Sequence, residues 1–374
     1  MDLGDLRQNI DRIDAQIVDL YEERMDICKQ VAEYKISTGK KVFDRVREQE
    51  KLAKVKALTH NEFNSQGVEE LFEQIMSMSR KLQYQMLSEN ASQGKLPFIG
   101  VEKLETQKAR VVFQGAEGAY SQAAMMQFFG DRVSSFHVDT FRDAMSAIDE
   151  GSADFAVLPI ENSTAGIVNE IYDLLVEFEN YIVGEQIIPI EHCLLGVPGA
   201  ALEDIQTVYS HPQSLMQSSK FLADHSWKQV SMQNNAFAAR KVSEQKDKTQ
   251  AAIASELAGT IYGLEILQRG VNNSGENSTR FIIVTNQKIF RTDASKISIC
   301  FEVPHESGSL YHMLSHFIYN NLNMTKIESR PIEDRKWEYR FFVDFEGNLA
   351  DSAVKNALRG LRDEARNMKI LGNY

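Results

Sequence analysis

The chain has 374 residues, carries a formal net charge of −12, and is 43% hydrophobic and 25% charged. Its length exceeds one ordinary hydrophobic core, so two or three domains are expected, and the composition is that of a globular protein. The acidic balance argues against nucleic acid as the main partner, and no apolar run approaches the roughly 18 residues of a membrane span.

The opening stretch MDLGDLRQNIDRID is polar and acidic and does not read as a signal peptide. Cys28, Cys193 and Cys300 lie far apart, which fits neither a disulfide framework nor a zinc site. A cytoplasmic protein without a metal site is expected. The Asn-x-Ser/Thr triplets at Asn162, Asn272 and Asn277 are then coincidental.

Residues 1–90 read as helical and contain no proline. The first helix carries an apolar stripe of Leu3, Leu6, Ile10, Ile13, Ile17, Leu20, Ile27, Val31 and Tyr34, whose steps of three and four form a heptad seam. Its missing member is Arg24, a guanidinium that needs an anion to meet it. Lys35 follows three turns on, facing nearly the same way, and Arg7 flanks the stripe. A helix over 3–37 is about 50 Å long, too long to fold back into a small monomer, so a helical dimer is expected. Arg7 lies about 25 Å from Arg24 along the axis, so a site that uses both takes Arg7 from the other subunit. The second helix opens on Asp44, a good N-cap, followed by Arg47 and Glu48. The third places Phe72, Ile75, Leu82 and Met86 on one face, interrupted by Ser79 and Gln83. Cations, a carboxylate, a hydroxyl and an amide on apolar faces suit a small dianion with an ether or hydroxyl group.

Arg7, Arg24, Lys35, Asp44, Arg47, Glu48, Ser79 and Gln83 resemble, residue by residue over 3–88, the active-site pattern of the all-helical chorismate mutases. The resemblance implies an intertwined helical dimer and the pericyclic rearrangement of chorismate to prephenate. It implies that Arg7 of the partner, Arg24 and Arg47 hold carboxylates. Lys35 and Gln83 then donate to the ether oxygen and Glu48 binds the ring hydroxyl, with Asp44 and Ser79 nearby.

SENASQGKLP (88–97) is small and polar and opens a linker set at 91–108. From 109 to 288, short β-rich runs alternate with helical stretches, which predicts an α/β domain with a largely parallel sheet. Three loops follow strands: FQGAEGAYSQAA (113–124), LPIENSTAGIV (158–168) and VYSHPQSLMQ (208–217). Such loops line the crevice beyond the strand ends, where helix N-termini bind anions. The glycine spacing is not that of a dinucleotide fingerprint, and no serine-hydrolase elbow is present. A fourth stretch, NNSGENSTRFIIV (272–284), is a polar turn running into a strand.

GAEGAYS, LPIENSTAG, SHPQSLMQ and NNSGENSTRF occur in the order found in prephenate dehydratases, which this segment resembles over about 109–286. The resemblance implies two periplasmic-binding-like lobes and conversion of prephenate to phenylpyruvate, water and CO2. Thr279 is then the hydrogen-bond donor to the leaving hydroxyl. Ser121, Asn162, Ser163, Ser210, Gln217 and Arg280 are candidates for the carboxylates and the ring, and Phe281 for packing against it. This chain has Ala116 and Ala119-Tyr120-Ser121 where many members have other residues, which touches details of carboxylate contact only.

Residues 295–374 read strand, helix, strand, strand, helix, strand, a ferredoxin-like order. The segment is similar to the ACT domains of prephenate dehydratases, with Gly308, Ser309 and Leu310 at its first turn and Glu328, Ser329 and Arg330 intact on its second strand. The resemblance implies L-phenylalanine as effector, bound between paired domains. Together the three segments are similar to the bifunctional chorismate mutase–prephenate dehydratases, for which no cofactor and a homodimer or homotetramer are expected. The rivals are an arogenate-accepting dehydratase and a non-catalytic amino-acid sensor with a relic mutase segment.

Overall fold

The computed structural model describes residues 2–90, 96–130, 132–333 and 335–374. It divides into two compact units, Met1–Phe98 with Ser295–Ile370, and Ile99–Ala294 with Leu371–Tyr374. Residues 91–95, the start of the expected linker, lie outside the described residues.

In the first unit, α1 spans Leu3–Thr38, α2 Arg45–Lys56 and α3 Glu62–Asn90. Local chemistry sets the borders. Asp2 caps α1 in a capping box closed by Asp5, and Gly39, at φ 67°, ends it in the left-handed conformation and donates its N–H to the Lys35 carbonyl. The Asp44 side chain accepts from the Arg47 N–H and starts α2. Among the described residues no helix is long and apolar enough to cross a membrane. Every member of the heptad stripe from Leu3 to Tyr34 is 40–65% exposed in the single chain. That is an apolar face, interrupted only at Arg24, along a helix about 54 Å long.

Residues 295–370 of the same unit build the ferredoxin-like arrangement read from the sequence. The sheet order is Met324–Pro331, Tyr339–Glu346, Lys296–Glu302, Arg366–Asn373, with helices Ser309–Tyr319 and Ser352–Glu364 in the two crossovers. Val354, Ala357, Leu358 and Leu361 supply the buried stripe of the second helix. α3 packs against this second helix as well as against α1 and α2.

The second unit contains two lobes, each with its own sheet. The first sheet is ordered Tyr181–Pro189, Ser278–Thr285, Phe155–Asn162, Arg110–Gln114, Ser134–Val138, and the second Glu265–Gln268, Cys193–Gly196, Gln250–Ala254, Thr207–Ser210, Lys228–Ser231. The expected largely parallel sheet is corrected here. Each sheet has a parallel trio flanked by antiparallel strands, and in the first the chain re-enters at Ser278 and lies antiparallel between two earlier strands. In the second lobe Ala252 and Ala254 face one core while Ala251 and Ile253 face another, the pleat alternation of a strand covered on both sides.

Candidate functional site

Two groups of candidate residues converge in the structure, one in each unit. In the helical segment, α1 and α3 bring Arg24 to Ser79, whose Oγ accepts from the guanidinium at 2.7 Å. Ser79 Oγ also lies 3.3 Å from Cys28 Sγ and donates to the Ile75 carbonyl at 2.9 Å. Lys35 Nζ donates to the Val42 carbonyl at 2.6 Å. Burial holds the Lys35 pKa below the usual lysine value, against the pull of Asp44, Glu48 and Cys28. Gln83, one turn after Ser79, is buried and its Oε1 has no hydrogen-bond partner. A buried amide oxygen without a partner is expected where a ligand supplies a donor.

The remaining candidates of this segment stand apart. Arg47 is exposed and only 3.8 Å from Glu50, and Asp44 is occupied as a helix cap. Arg7 is exposed near the start of α1, far from Arg24. Sequence reasoning missed Arg80. It is 5% exposed, pairs with Glu48, and sits between Met76 and Tyr84 at four-residue spacing, all three buried. That spacing is the signal that could have found it, a second inward face on α3.

The cleft of the second unit is a cavity of about 360 Å³ lined by the strands Arg110–Gln114, Phe155–Asn162 and Ser278–Thr285 and by the loops and helix starts beside them. Its walls include Gly115, Gly118, Ser121, Asn162, His211 and Gln217 at the two ends of a short helix, Asn235 and Ser255, with Thr279 and Phe281 from the strand Ser278–Thr285. Gly118 is required at its position. Its φ is +87°, and a Cβ there would meet the Ala258 Cα at 2.8 Å.

Thr279 is 9% exposed and its Oγ1 accepts from Asn162 Nδ2 at 2.9 Å. Asn162 is itself fixed, because its Oδ1 accepts from the Thr164 and Ala165 backbone N–H groups. Ser121 lines the cleft but gives its hydroxyl to the Gln114 carbonyl at 2.6 Å. Ser163 bridges to the returning strand, donating to the Glu276 carbonyl and accepting from the Ser278 N–H. Ser210 is fully buried and bonded to Ile253 and Asn235, so it supports the loop and does not face the cavity.

Arg280 does not join Thr279. It lies on the other face of the strand, 3.3 Å from Glu185 and 3.4 Å from Glu161, and is absent from the cleft wall. Alternate residues of a strand face opposite ways, so Thr279 and Phe281 share a face that excludes Arg280.

His192 and Tyr120 were not anticipated. The Tyr120 hydroxyl is 2.9 Å from His192 Nδ1, and Gln217 Oε1 is 3.2 Å from His192 Nε2. Burial pushes the His192 pKa down to about 4 from 6.5, so the ring is neutral at pH 7. No local pattern in IEHCLL betrays this, because both partners are remote in sequence.

The depressed value makes a stability prediction. Between pH 6.5 and 4 the unfolded chain takes up a proton that folded His192 does not. Stability is therefore full above pH 6.5 and falls toward pH 4, by roughly 3 kcal/mol from this group. With Trp337 replaced by Phe, Trp227 alone reports unfolding of the α/β unit. His192→Asn is expected to flatten its acid dependence. Parallel curves for the two proteins would show that His192 does not titrate this way.

In the C-terminal part, Gly308 adopts φ 76° at the start of the helix Ser309–Tyr319. Ser309 and Leu310 line a cavity of about 380 Å³ with His305, Trp337, Tyr339 and Phe341. Glu328, Ser329 and Arg330 lie on the edge strand and do not line that cavity, so one chain does not bring the six residues together.

Comparison with known families gives two matches, Chorismate mutase type II over residues 6–84 and Prephenate dehydratase over 111–289. The bifunctional chorismate mutase/prephenate dehydratase of Escherichia coli (strain K12) is 33% identical over 376 residues, covering 99% of this chain and 95% of that protein. Among solved structures, the prephenate dehydratase of Arthrobacter aurescens in complex with L-Phe aligns with TM-score 0.66 and 29% identity over 71% of this chain and 89% of its own. GqqA, described as a novel type of quorum quenching acylase, aligns with TM-score 0.64 and 34% identity over 71% of this chain and 97% of its own. One fold thus carries differently described activities, and the chemistry must be argued from the site.

Proposed function

This chain belongs to the bifunctional chorismate mutase/prephenate dehydratase family, and from that premise we propose which residues carry each reaction. The first reaction rearranges chorismate to prephenate within residues 1–90. A pericyclic step needs no covalent catalyst, only a compact conformer and stabilisation of charge on the breaking ether bond. Arg24 and Arg47, with Arg7 from a second copy, hold the two carboxylates. Lys35 and Gln83 donate to the ether oxygen, Glu48 accepts from the ring hydroxyl, and Asp44 and Ser79 support them. The Arg24–Ser79 contact, which joins α1 to α3 one turn from the buried Gln83 amide, favours this assignment.

The second reaction takes prephenate to phenylpyruvate, water and CO2 within residues 109–288. The observation that carries it is Thr279, buried in the cleft with its oxygen already accepting from Asn162. A threonine hydroxyl is a very weak acid, so its part is a positioned hydrogen bond to the hydroxyl that leaves as the carboxylate breaks off. Aromatisation supplies most of the drive. Asn162, Ser163, Ser121 and Gln217 bind or orient the substrate and Phe281 packs on its ring.

Residues 295–374 act as an ACT domain that binds L-phenylalanine between two copies and lowers dehydratase activity. The L-Phe complex of the Arthrobacter aurescens relative supports this. Gly308, Ser309 and Leu310 then meet Glu328, Ser329 and Arg330 of a neighbouring domain, in a dimer or a tetramer. Binding there shifts the cleft between states of different substrate affinity.

One experiment tests the whole. Chorismate incubated with the protein is expected to give phenylpyruvate. Accumulating prephenate sinks the dehydratase reading, and unchanged chorismate sinks the mutase reading. Arogenate offered in parallel is expected to be the poorer substrate. L-phenylalanine in the same assay is expected to slow the dehydratase, and indifference removes the ACT role.

A further inference from the structure

The guanidinium of Arg80 is nearly sealed from solvent, at 5% exposure, yet belongs to neither reaction as assigned above. Burying a guanidinium is costly unless carboxylates surround it. Two do. Arg80 Nη1 donates to Glu48 Oε2, and Arg80 Nε is 3.1 Å from Glu364 Oε1. The Phe43 ring covers one face at 5.2 Å. Burial works against the charge, but Glu364 and Glu48 hold the Arg80 pKa above the ordinary arginine value.

Glu364 is the last residue of the helix Ser352–Glu364, is 5% exposed at its side chain, and also lies 3.2 Å from His316 Nε2. One residue earlier, Asp363 accepts from the Tyr84 hydroxyl at 2.8 Å. Tyr84 is one turn beyond Arg80 on α3. Two consecutive carboxylates of the C-terminal part thus meet two consecutive rungs of α3, and one rung reaches through to Glu48.

We propose that Arg80 is a positioning residue that aims the Glu48 carboxylate, and that Glu364 of the C-terminal part sets where Arg80 points, so that mutase turnover depends on that part. This rests on the reading that Glu48 binds the ring hydroxyl of chorismate. Arg80 occupies Glu48 Oε2, which leaves Oε1 to accept from the substrate. Neutralising Glu364 frees Arg80 to turn wholly onto Glu48 and draw it from that task. Removing Arg80 leaves Glu48 without its guanidinium and Glu364 facing His316 alone. A lysine keeps the charge but cannot span both with a planar fork.

The test measures mutase and dehydratase kinetics on full-length Glu48→Gln, Arg80→Met, Arg80→Lys, Glu364→Gln and the apolar double replacement Arg80→Met/Glu364→Leu. Arg80→Met and Glu364→Gln are expected to lower mutase kcat roughly 10- to 100-fold with a smaller change in KM, because the carboxylate clamps on the substrate are untouched. Arg80→Lys recovers part of the loss, and dehydratase kcat is unchanged in all. The double replacement is expected to fold stably, since an apolar pair can substitute for a buried ion pair, and to stay slow as a mutase. A double replacement with full mutase activity shows a merely structural pair and overturns the proposal, as do normal kcat values in Arg80→Met and Glu364→Gln when Glu48→Gln is crippled. Normal mutase activity in Glu48→Gln removes the premise instead, and the tie with it.

Discussion

Thr279→Ala is expected to lower dehydratase kcat by roughly 10²- to 10⁴-fold, the usual worth of a positioned proton donor, while mutase activity stays at the wild-type level. The geometry explains why the hydroxyl matters more than its small size suggests. Asn162 Nδ2 donates to Thr279 Oγ1 at 2.9 Å, so the threonine proton is not spent on that neighbour and is left to donate into the cleft. Asn162 is locked in turn by two backbone N–H groups on its Oδ1, at 3.1 and 2.9 Å from Thr164 and Ala165. A preorganised donor loses little on meeting the departing hydroxyl. Thr279→Ser keeps the donor and is expected to retain most activity, whereas Thr279→Val keeps the shape and is expected to behave like alanine. Equal loss of both activities in Thr279→Ala places the reaction elsewhere.

The same strand shows what sequence reading reaches and where it stops. Thr279, Arg280 and Phe281 are adjacent letters and invite a common role. The pleat separates them, sending Thr279 and Phe281 into the cleft and Arg280 back between Glu161 and Glu185 of the two flanking strands. Period-two alternation in STRFIIV could have foretold this, but only with the strand's inner face already known. Local signals were readable for the same physical reason in each case. Asp44 caps a helix, and the βαββαβ order of 295–374 follows from short-range pattern. His192 and Arg80 were not readable, because their meaning lies in partners from distant elements. Tyr120 and Gln217 reach His192, and Glu48 and Glu364 reach Arg80, only after the chain has folded.

Arg7→Ala and Arg24→Ala are each expected to lower mutase activity by roughly 10²- to 10³-fold, the loss typical of one charge-stabilising group, and to restore one another when co-expressed. The reason begins with the apolar stripe. α1 runs unbroken from Leu3 to Thr38, and its apolar seam residues are 40–65% exposed, with nothing among the described residues to cover them. An apolar seam of that length is stable in water only against another helix, and a two-fold partner offers the same seam in return. Arg7 and Arg24 stay about 25 Å apart along a straight helix, so they cannot serve one site from one chain. An antiparallel second copy brings its Arg7 toward the Arg24 of the first. In a mixed population half the dimers pair the two variants, and each of these has one site with both arginines and one with neither. Co-expression is therefore expected to return about a quarter of wild-type activity. Activity that stays at the level of the single variants means that each chain builds its own site, and the exposed stripe then needs a different occupant.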